Sequence, residues 1–481
     1  MPCCKQGVTA YFRWGWAMAN MNKPLATLAA ELRNGDLSAQ ALMEGCFEAY
    51  AASEFHLNAY KTWAGDTALI AAKQVDQLLK QGYDFGPLMG VPISVKDMFA
   101  LPNLPTYAGS KSALGAEWQQ PGELVQALRS QLALITGKTH TVEFALGGIG
   151  VNAHWGTPRN PWDVHHHRIP GGSSSGAGVS LCQGSALLAL GTDTAGSVRI
   201  PASVTGKVGL KTTVGHWPTN QIVPLSASLD TPGVLANTLE DLCYAYAAIE
   251  KQLHKQPLVI PKLNDCRGVR IGIPENFFWE DADKSVIALV KVTMRRLEQA
   301  GAQLIPIQVP LCAELFADFQ QGGLSVPELA YFLSSRLPEK LEELDPVVKM
   351  RVQDGGAITA LEYLRRKALV EQATQQAAVL FEQVDIWLHP TIPISPPKLT
   401  EIAALEDYRR ANMLALRNPS IANLMGLCAL SMPVGLDNLG MPVGMQLTAA
   451  GGQETKLLAI AQAFEHLLGN GQQLMGVCPL F

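Results

Sequence analysis

Three polar side chains stand where their neighbours could make them reactive. Lys96 closes the alternating apolar run Gly90-Val-Pro-Ile-Ser-Val-Lys96-Asp97. Ser173 and Ser197 lie in two Gly/Ser-rich loops, Gly171-Gly-Ser-Ser-Ser-Gly-Ala-Gly178 and Gly191-Thr-Asp-Thr-Ala-Gly-Ser-Val-Arg199, on either side of the apolar run Val179 to Leu190. A serine hydroxyl is a poor nucleophile until an adjacent base takes its proton. A lysine can be that base only when neutral, and burial at a strand end disfavours the ammonium form. The run Thr194-Ala195-Gly196-Ser197 can turn successive backbone N–H groups toward one point, an oxyanion hole in which each donor contributes roughly 3 kcal/mol to the transition state. A serine, a second serine and a strand-end lysine are the parts of an acyl-transfer site.

Other readings of the same residues fare worse. As a phosphate loop, Gly171 to Gly176 is followed by Ala177-Gly178 and lacks the Lys-Ser/Thr that reaches the phosphate. Gly172-Ser-Ser174-Ser-Gly176 fits the nucleophile elbow of an α/β-hydrolase esterase with Ser174 as nucleophile, which needs an acid and then a histidine downstream; His216, His254, His389 and His466 are available without distinctive context. Ser395-Pro-Pro-Lys398 spaces a serine and a lysine, but two prolines forbid the helical turn that would join them. His165-His166-His167 are adjacent loop residues whose side chains diverge, so no metal site is expected. Lys138, Glu143 and Lys211 are equally readable as site residues and as structural ion-pair members.

The two loops and the lysine resemble the amidase signature family. The resemblance implies Lys96 as base, Ser173 as the bridging serine after a cis peptide bond, and Ser197 as nucleophile; the serine spacing, 197 − 173 = 24, is the family's usual one. It extends to Leu57-Asn58-Ala59-Tyr60, Gly86-Pro87-Leu88, Gly137-Lys138-Thr139, Glu143-Phe144, Asn160-Pro161-Trp162, Gly209-Leu210-Lys211 and Gly440 to Gln446, so it covers about Leu25 to Leu468. It implies a single large α/β domain: a mixed central sheet with helices on both faces. Ala195 stands where relatives often carry glycine and fits only at negative φ, and Lys211-Thr212-Thr213 replaces the usual Lys-Pro-Thr. Asp193 and Arg199 read as a structural ion pair supporting the nucleophile loop, with Ser174 beside them. Two functions fit: a free-standing amidohydrolase acting on a small carboxamide, and the glutamine-hydrolysing A subunit of a tRNA-dependent amidotransferase, in which Val348-Lys-Met-Arg351 resembles the segment that places an arginine on the glutamine carboxylate.

Composition is consistent with the first. The chain has 481 residues, 48% of them hydrophobic, with a net charge of −5, which offers no basic footprint for nucleic acid. Nine scattered cysteines without a Cys-x-x-Cys pair indicate neither a disulfide framework nor a zinc knuckle, and point to a reducing, cytoplasmic compartment. No run is long and apolar enough for a membrane span. The expected partner is a small-molecule amide, with no nucleic acid, membrane, cofactor or metal; a homodimer is compatible. Residues 1–24, with Cys3-Cys4, Trp14 and Trp16, read as a disordered extension whose start codon is Met1, Met18 or Met21, and residues 25–481 as the domain.

Helical spacing marks Leu25 to Ala52, Thr67 to Lys80 and Leu124 to Leu132, with strands at Gly90 to Val95 and Leu134 to Gly137. This alternation predicts an α/β layer fold. Further on, Arg267 to Pro274 and Gln303 to Val309 read as strands around a helix from Lys284 to Ala300. Residues 315–383 read as a charged helical cap broken at Gly355-Gly356. Trp387-Leu388, Leu430 to Val434 and Pro442 to Leu447 are strand-like and are expected to rejoin the sheet.

Overall fold

The computed structural model describes residues 23–479. The 1–22 part of the expected extension and the final two residues lie outside them. One mixed sheet of eleven strands organises the chain: β1 (Tyr60–Trp63), β2 (Pro92–Lys96), β3 (Leu134–Thr139), β4 (Leu188–Asp193), β5 (Val208–Lys211), β6 (Thr231–Ala236), β7 (Arg270–Pro274), β8 (Gln303–Ile307), β9 (Ile386–Pro390), β10 (Cys428–Leu436) and β11 (Pro442–Ala449), in the order β1-β3-β2-β4-β6-β5-β10-β11-β9-β7-β8. The C-terminal strands thus sit inside the sheet, β10 on β5 and β11 on β9.

The arrangement that matters is the parallel set β3-β2-β4, with Lys96 opposite Thr139 and Val95 opposite Leu190. Parallel strands end on one side, so Lys96, Thr139 and Asp193 reach the same rim, where open α/β sheets bind their ligands. Every residue of β2 and β4 is buried. This accounts for their near-continuous apolar runs, which strands covered on both faces require.

Local differences from the predicted elements have identifiable causes. The Leu25–Ala52 pattern is two helices, Leu25–Asn34 and Ala39–Leu57: Gly35 takes a left-handed φ of 79° after the first, and Ser38 caps the second by accepting from the Ala41 N–H. The run Val179 to Leu190 likewise divides into a helix, Ala177–Gln183, and β4, with Gly184 at φ 77° between them. The stretch after Leu210, which carries little visible periodicity, holds β6 and the helix Leu239–His254. The predicted helical region consists of Cys312–Gln320, Ser325–Arg336, Pro346–Gly356 and Ala360–Gln383. The Gly355-Gly356 break falls at the end of the third of these. A twenty-residue helix at Leu405–Leu424 was not predicted; it carries Pro419 in its interior.

Candidate active site

Lys96 leaves the end of β2 fully buried, with Nζ 2.7 Å from Ser173 Oγ and 2.7 Å from Thr192 Oγ1 on β4. Burial pushes the ammonium pKa down to about 7, against the opposing pull of the Asp230 and Asp193 carboxylates. Half or more of the population is therefore neutral from neutral pH upward, the state a base requires. Thr192 is a contact the sequence motif does not announce.

Ser173 follows a cis peptide bond from Gly172, as the family resemblance implies. A Cβ on Gly172 would stand 2.6 Å from the Gly150 nitrogen, so only glycine fits beside that strand of backbone. The Val142 N–H donates to the Ser173 carbonyl (3.1 Å), and the Ser174 N–H donates to the Ser197 carbonyl (3.2 Å), which lays the two serine loops against each other. Ser174 points its Oγ at the Thr192 carbonyl (3.3 Å), buried and away from any histidine. His216 is paired with Glu250, and His389 stacks on Phe278 at 4.2 Å between ring centroids. The elbow arrangement of an esterase is therefore not formed.

The nucleophile loop is built around Asp193. Its carboxylate accepts from the backbone N–H groups of Gly196 (2.7 Å) and Val198 (3.1 Å) and holds Arg199 through two 3.0 Å bonds. Arg199 also donates to Gln446 Oε1 (2.8 Å) and Asn423 Oδ1 (2.5 Å), and the Asn423 amide returns to Asp193 Oδ1 (3.0 Å). Burial alone would raise the Asp193 pKa; the Arg199 guanidinium outweighs it and holds the carboxyl well below the usual range. The pair is wholly buried, so removing one partner strands a charge. Arg199→Met is expected to cost about 3–5 kcal/mol of stability, read by denaturant unfolding, and Asp193→Asn on that background should restore part of it.

This network bears on the donor set expected from the sequence. The Gly196 N–H donates to Asp193, so Gly196 shapes the loop. The N–H groups of Thr194, Ala195 and Ser197 have no hydrogen-bond partner among the described residues and remain as candidate oxyanion donors. The left-handed turn falls on Gly196 (φ 124°) and not on Ala195, which explains why alanine is tolerated there. A Cβ at Gly196 would meet Pro419 at 2.7 Å. Thr194 donates its hydroxyl to Asp230 Oδ1 (2.5 Å).

The ambiguous residues separate. Lys138 forms a buried ion pair with Asp97 (2.7 Å) and is structural. Lys211 donates to the carbonyls of Thr212 and Leu427 (both 2.7 Å), and burial together with the nearby Arg199 charge lowers its pKa to about 8. Glu143 lies near the site: Oε1 meets His154 Nε2 at 2.9 Å and Oε2 accepts from the Asp345 N–H (2.9 Å). His166 contacts Asp163 at 3.2 Å on an exposed loop, and no group of three or more His, Cys, Asp or Glu among the described residues could hold a metal ion.

Residues 41–458 match the family described as Amidase. The chain belongs to the amidase family. It is accordingly a hydrolase of carbon–nitrogen bonds. A 2-amino-5-chloromuconic acid deaminase from Comamonas testosteroni is 55% identical over 456 residues, covering 95% of this chain and 98% of the relative. The A subunit of the glutamyl-tRNA(Gln) amidotransferase from Lachnospira eligens is 30% identical, covering 94% and 99%. Among solved structures, a crystal structure of an amidase superposes with a TM-score of 0.83 at 30% identity over 93% of this chain and 100% of that one. The peptide amidase from Stenotrophomonas maltophilia gives 0.77 at 26%, over 93% and 97%. The single α/β domain with a mixed central sheet is thus the amidase architecture.

Proposed function

We propose that this amidase releases ammonia from a small carboxylate-bearing carboxamide without a partner protein, through an acyl-enzyme on Ser197. The observation that carries the reaction is the buried contact of Lys96 with Ser173, with the Ser197 loop bonded to the Ser173 loop. For a carboxamide, Ser197 Oγ bonds to the carbonyl carbon while its proton passes through Ser173 to Lys96. The N–H groups of Thr194, Ala195 and Ser197 receive the developing oxyanion. Lys96 returns the proton through Ser173 to the nitrogen as the C–N bond breaks and ammonia leaves. Water then cleaves the ester by the same relay and frees Ser197.

A carboxylate on the substrate is supported by a cavity of about 250 Å3 lined by Val142, Glu143, Leu146, Arg351 and Tyr408. Val142 is the residue bonded to the Ser173 carbonyl, so the cavity adjoins the serine loops. Arg351 donates to the Leu146 carbonyl (3.0 Å) and pairs with no carboxylate among the described residues. The 55% identical relative is named for an amino derivative of a dicarboxylic acid, which fits such a pocket. We take the helices of residues 312–383, which supply Arg351, as a substrate-selecting cap.

Ammonia release from monoamides of dicarboxylic acids and from neutral amides distinguishes the cases; 2-amino-5-chloromuconic acid carries its amino group on a vinyl carbon, so its release of ammonia passes through no acyl-enzyme and it tests carboxylate binding alone. Arg351→Ala is expected to raise KM for the carboxylate-bearing substrates by about 10–100-fold, the worth of a hydrogen bond to a charged group, and to leave neutral amides unaffected. Equal turnover of neutral and acidic substrates by both proteins would sink the carboxylate assignment. The amidotransferase reading is favoured by the 30% identical relatives. It replaces the present one if the chain alone is inert and releases ammonia from glutamine only with partner proteins and tRNA. A cytoplasmic setting is supported by Cys46, Cys243, Cys312 and Cys428, all buried thiols, and no helix among the described residues is long and apolar enough to cross a membrane.

A further inference from the structure

We propose that Asp230 is a positioning residue for the Ser197 reaction, fixing Thr194 in the donor loop and linking the helices Ser325–Arg336 and Ala360–Gln383 to the Lys96 site. The proposal rests on the assignment of Lys96 as base.

Asp230 precedes β6 and uses both oxygens. Oδ1 accepts from Thr194 Oγ1 (2.5 Å), and Oδ2 accepts from the N–H groups of Leu225 (2.9 Å) and Ser226 (3.0 Å). Thr194 stands between Asp193, which shapes the loop, and Ala195, and its own N–H is one of the candidate oxyanion donors. The Thr194–Asp230 bond therefore fixes the rotation of that part of the loop. On the other side, Ser226 Oγ and the Ser228 N–H donate to Glu328 Oε2 (2.7 and 3.0 Å), and Tyr363 donates to Glu328 Oε1 (2.9 Å). Segment 225–230 is thus clamped by one carboxylate facing the site and another facing the helices that cover it.

The charge of Asp230 acts on the same place. Two carboxylates pull on Lys96, Asp230 more strongly than Asp193. Asp193 is matched by Arg199 at two contacts, with Lys211 behind it. Asp230 forms no ion pair among the described residues; its hydrogen-bond partners are a neutral hydroxyl and two amides, and Glu328 beyond Ser226 adds no positive charge. Burial raises the pKa of the Asp230 carboxyl to about 6, so above that pH the uncompensated negative charge near Lys96 is that of Asp230. It favours the protonated lysine, the form that returns the proton to the leaving nitrogen, and keeps the lysine from becoming a weaker base than the reaction needs.

The two contributions can be separated with the full-length protein by the rate at which a fluorophosphonate labels Ser197, a readout independent of the natural substrate. Thr194→Val removes the bond and leaves the carboxyl group in place: labelling is expected to slow about 10–100-fold, the cost of a small misplacement, and Thr194→Ser should restore it. Asp230→Asn removes the charge as well, so the rising limb of the rate against pH should also move down by about one unit. Wild-type rates and an unmoved midpoint in Asp230→Asn would overturn the proposal, as would a Thr194→Ser protein no faster than Thr194→Val. If Asp230→Asn does not fold, the two Thr194 variants decide the positioning role. Unchanged labelling in Lys96→Ala would instead reject the base assignment, and with it this inference.

Discussion

Arginine in place of Lys96 is expected to lower turnover by about 10^4-fold, the upper range for a lost general base, although it preserves charge and approximate length. A guanidinium cannot lose its proton at working pH, so a substitution harmless at a surface ion pair is as damaging here as Lys96→Ala. The same physics fixes the pH dependence of the wild type. Burial has brought the lysine to about 7, so lowering the pH through that value protonates the base and raising it restores the neutral amine. Turnover should rise with pH, with its midpoint near 7, and level off above. A flat profile between pH 6 and 9, or a Lys96→Arg enzyme with near-normal turnover, would show that the lysine holds structure and moves no proton.

Ser197→Ala is expected to remove activity almost entirely, by about 10^6-fold, as loss of the nucleophile does in other serine hydrolases, and to abolish fluorophosphonate labelling. Intact-mass measurement should show one adduct per wild-type chain, and peptide mapping should place it on Ser197. Ser173→Ala should also be nearly inactive, since it removes the proposed relay to Lys96, yet the unlabelled position distinguishes relay from nucleophile. A label on Ser173 or Ser174 would reverse the roles. The substitution at Ser197 removes a single oxygen from a loop held by Asp193, so the protein should remain folded, and unchanged near-UV circular dichroism would confirm that the loss is chemical.

The meeting of Lys96 with the Ser173 loop was legible because the proposed catalytic residues lie in short contiguous segments: a strand-end lysine and two Gly/Ser loops whose local geometry follows from their own residues. What surrounds it was not. Arg199 finds Asn423 and Gln446 at sequence separations of 224 and 247 residues, and no local pattern connects such positions. Asp230 looks like an ordinary loop carboxylate until the fold places Thr194 beside it. Gly196 reads as an oxyanion donor because glycine exposes its N–H, but the Asp193 side chain three residues earlier claims that donor. Helix Leu405–Leu424 hides behind Pro419, which packs against the Gly196 turn; the tertiary contact outweighs a residue that ordinarily ends a helix. Strand order was equally invisible, since the last two strands enter the sheet beside strands formed far earlier in the chain.

That buried network imposes a timetable on the ribosome. At about 5–20 residues per second, the 247 residues between Arg199 and Gln446 take about 12–50 seconds to synthesise. Until Asn423 is made, 224 residues after Arg199, the growing polypeptide already contains Lys96, Ser173 and Ser197, but the arginine that anchors the Ser197 turn has neither of its distant amide partners. A chain terminated by a premature stop between Arg199 and Asn423 carries Lys96, Ser173 and Ser197 and lacks both anchors. The Ser197 turn is encoded early, and its anchoring network is completed only when Asn423 and Gln446 have been made.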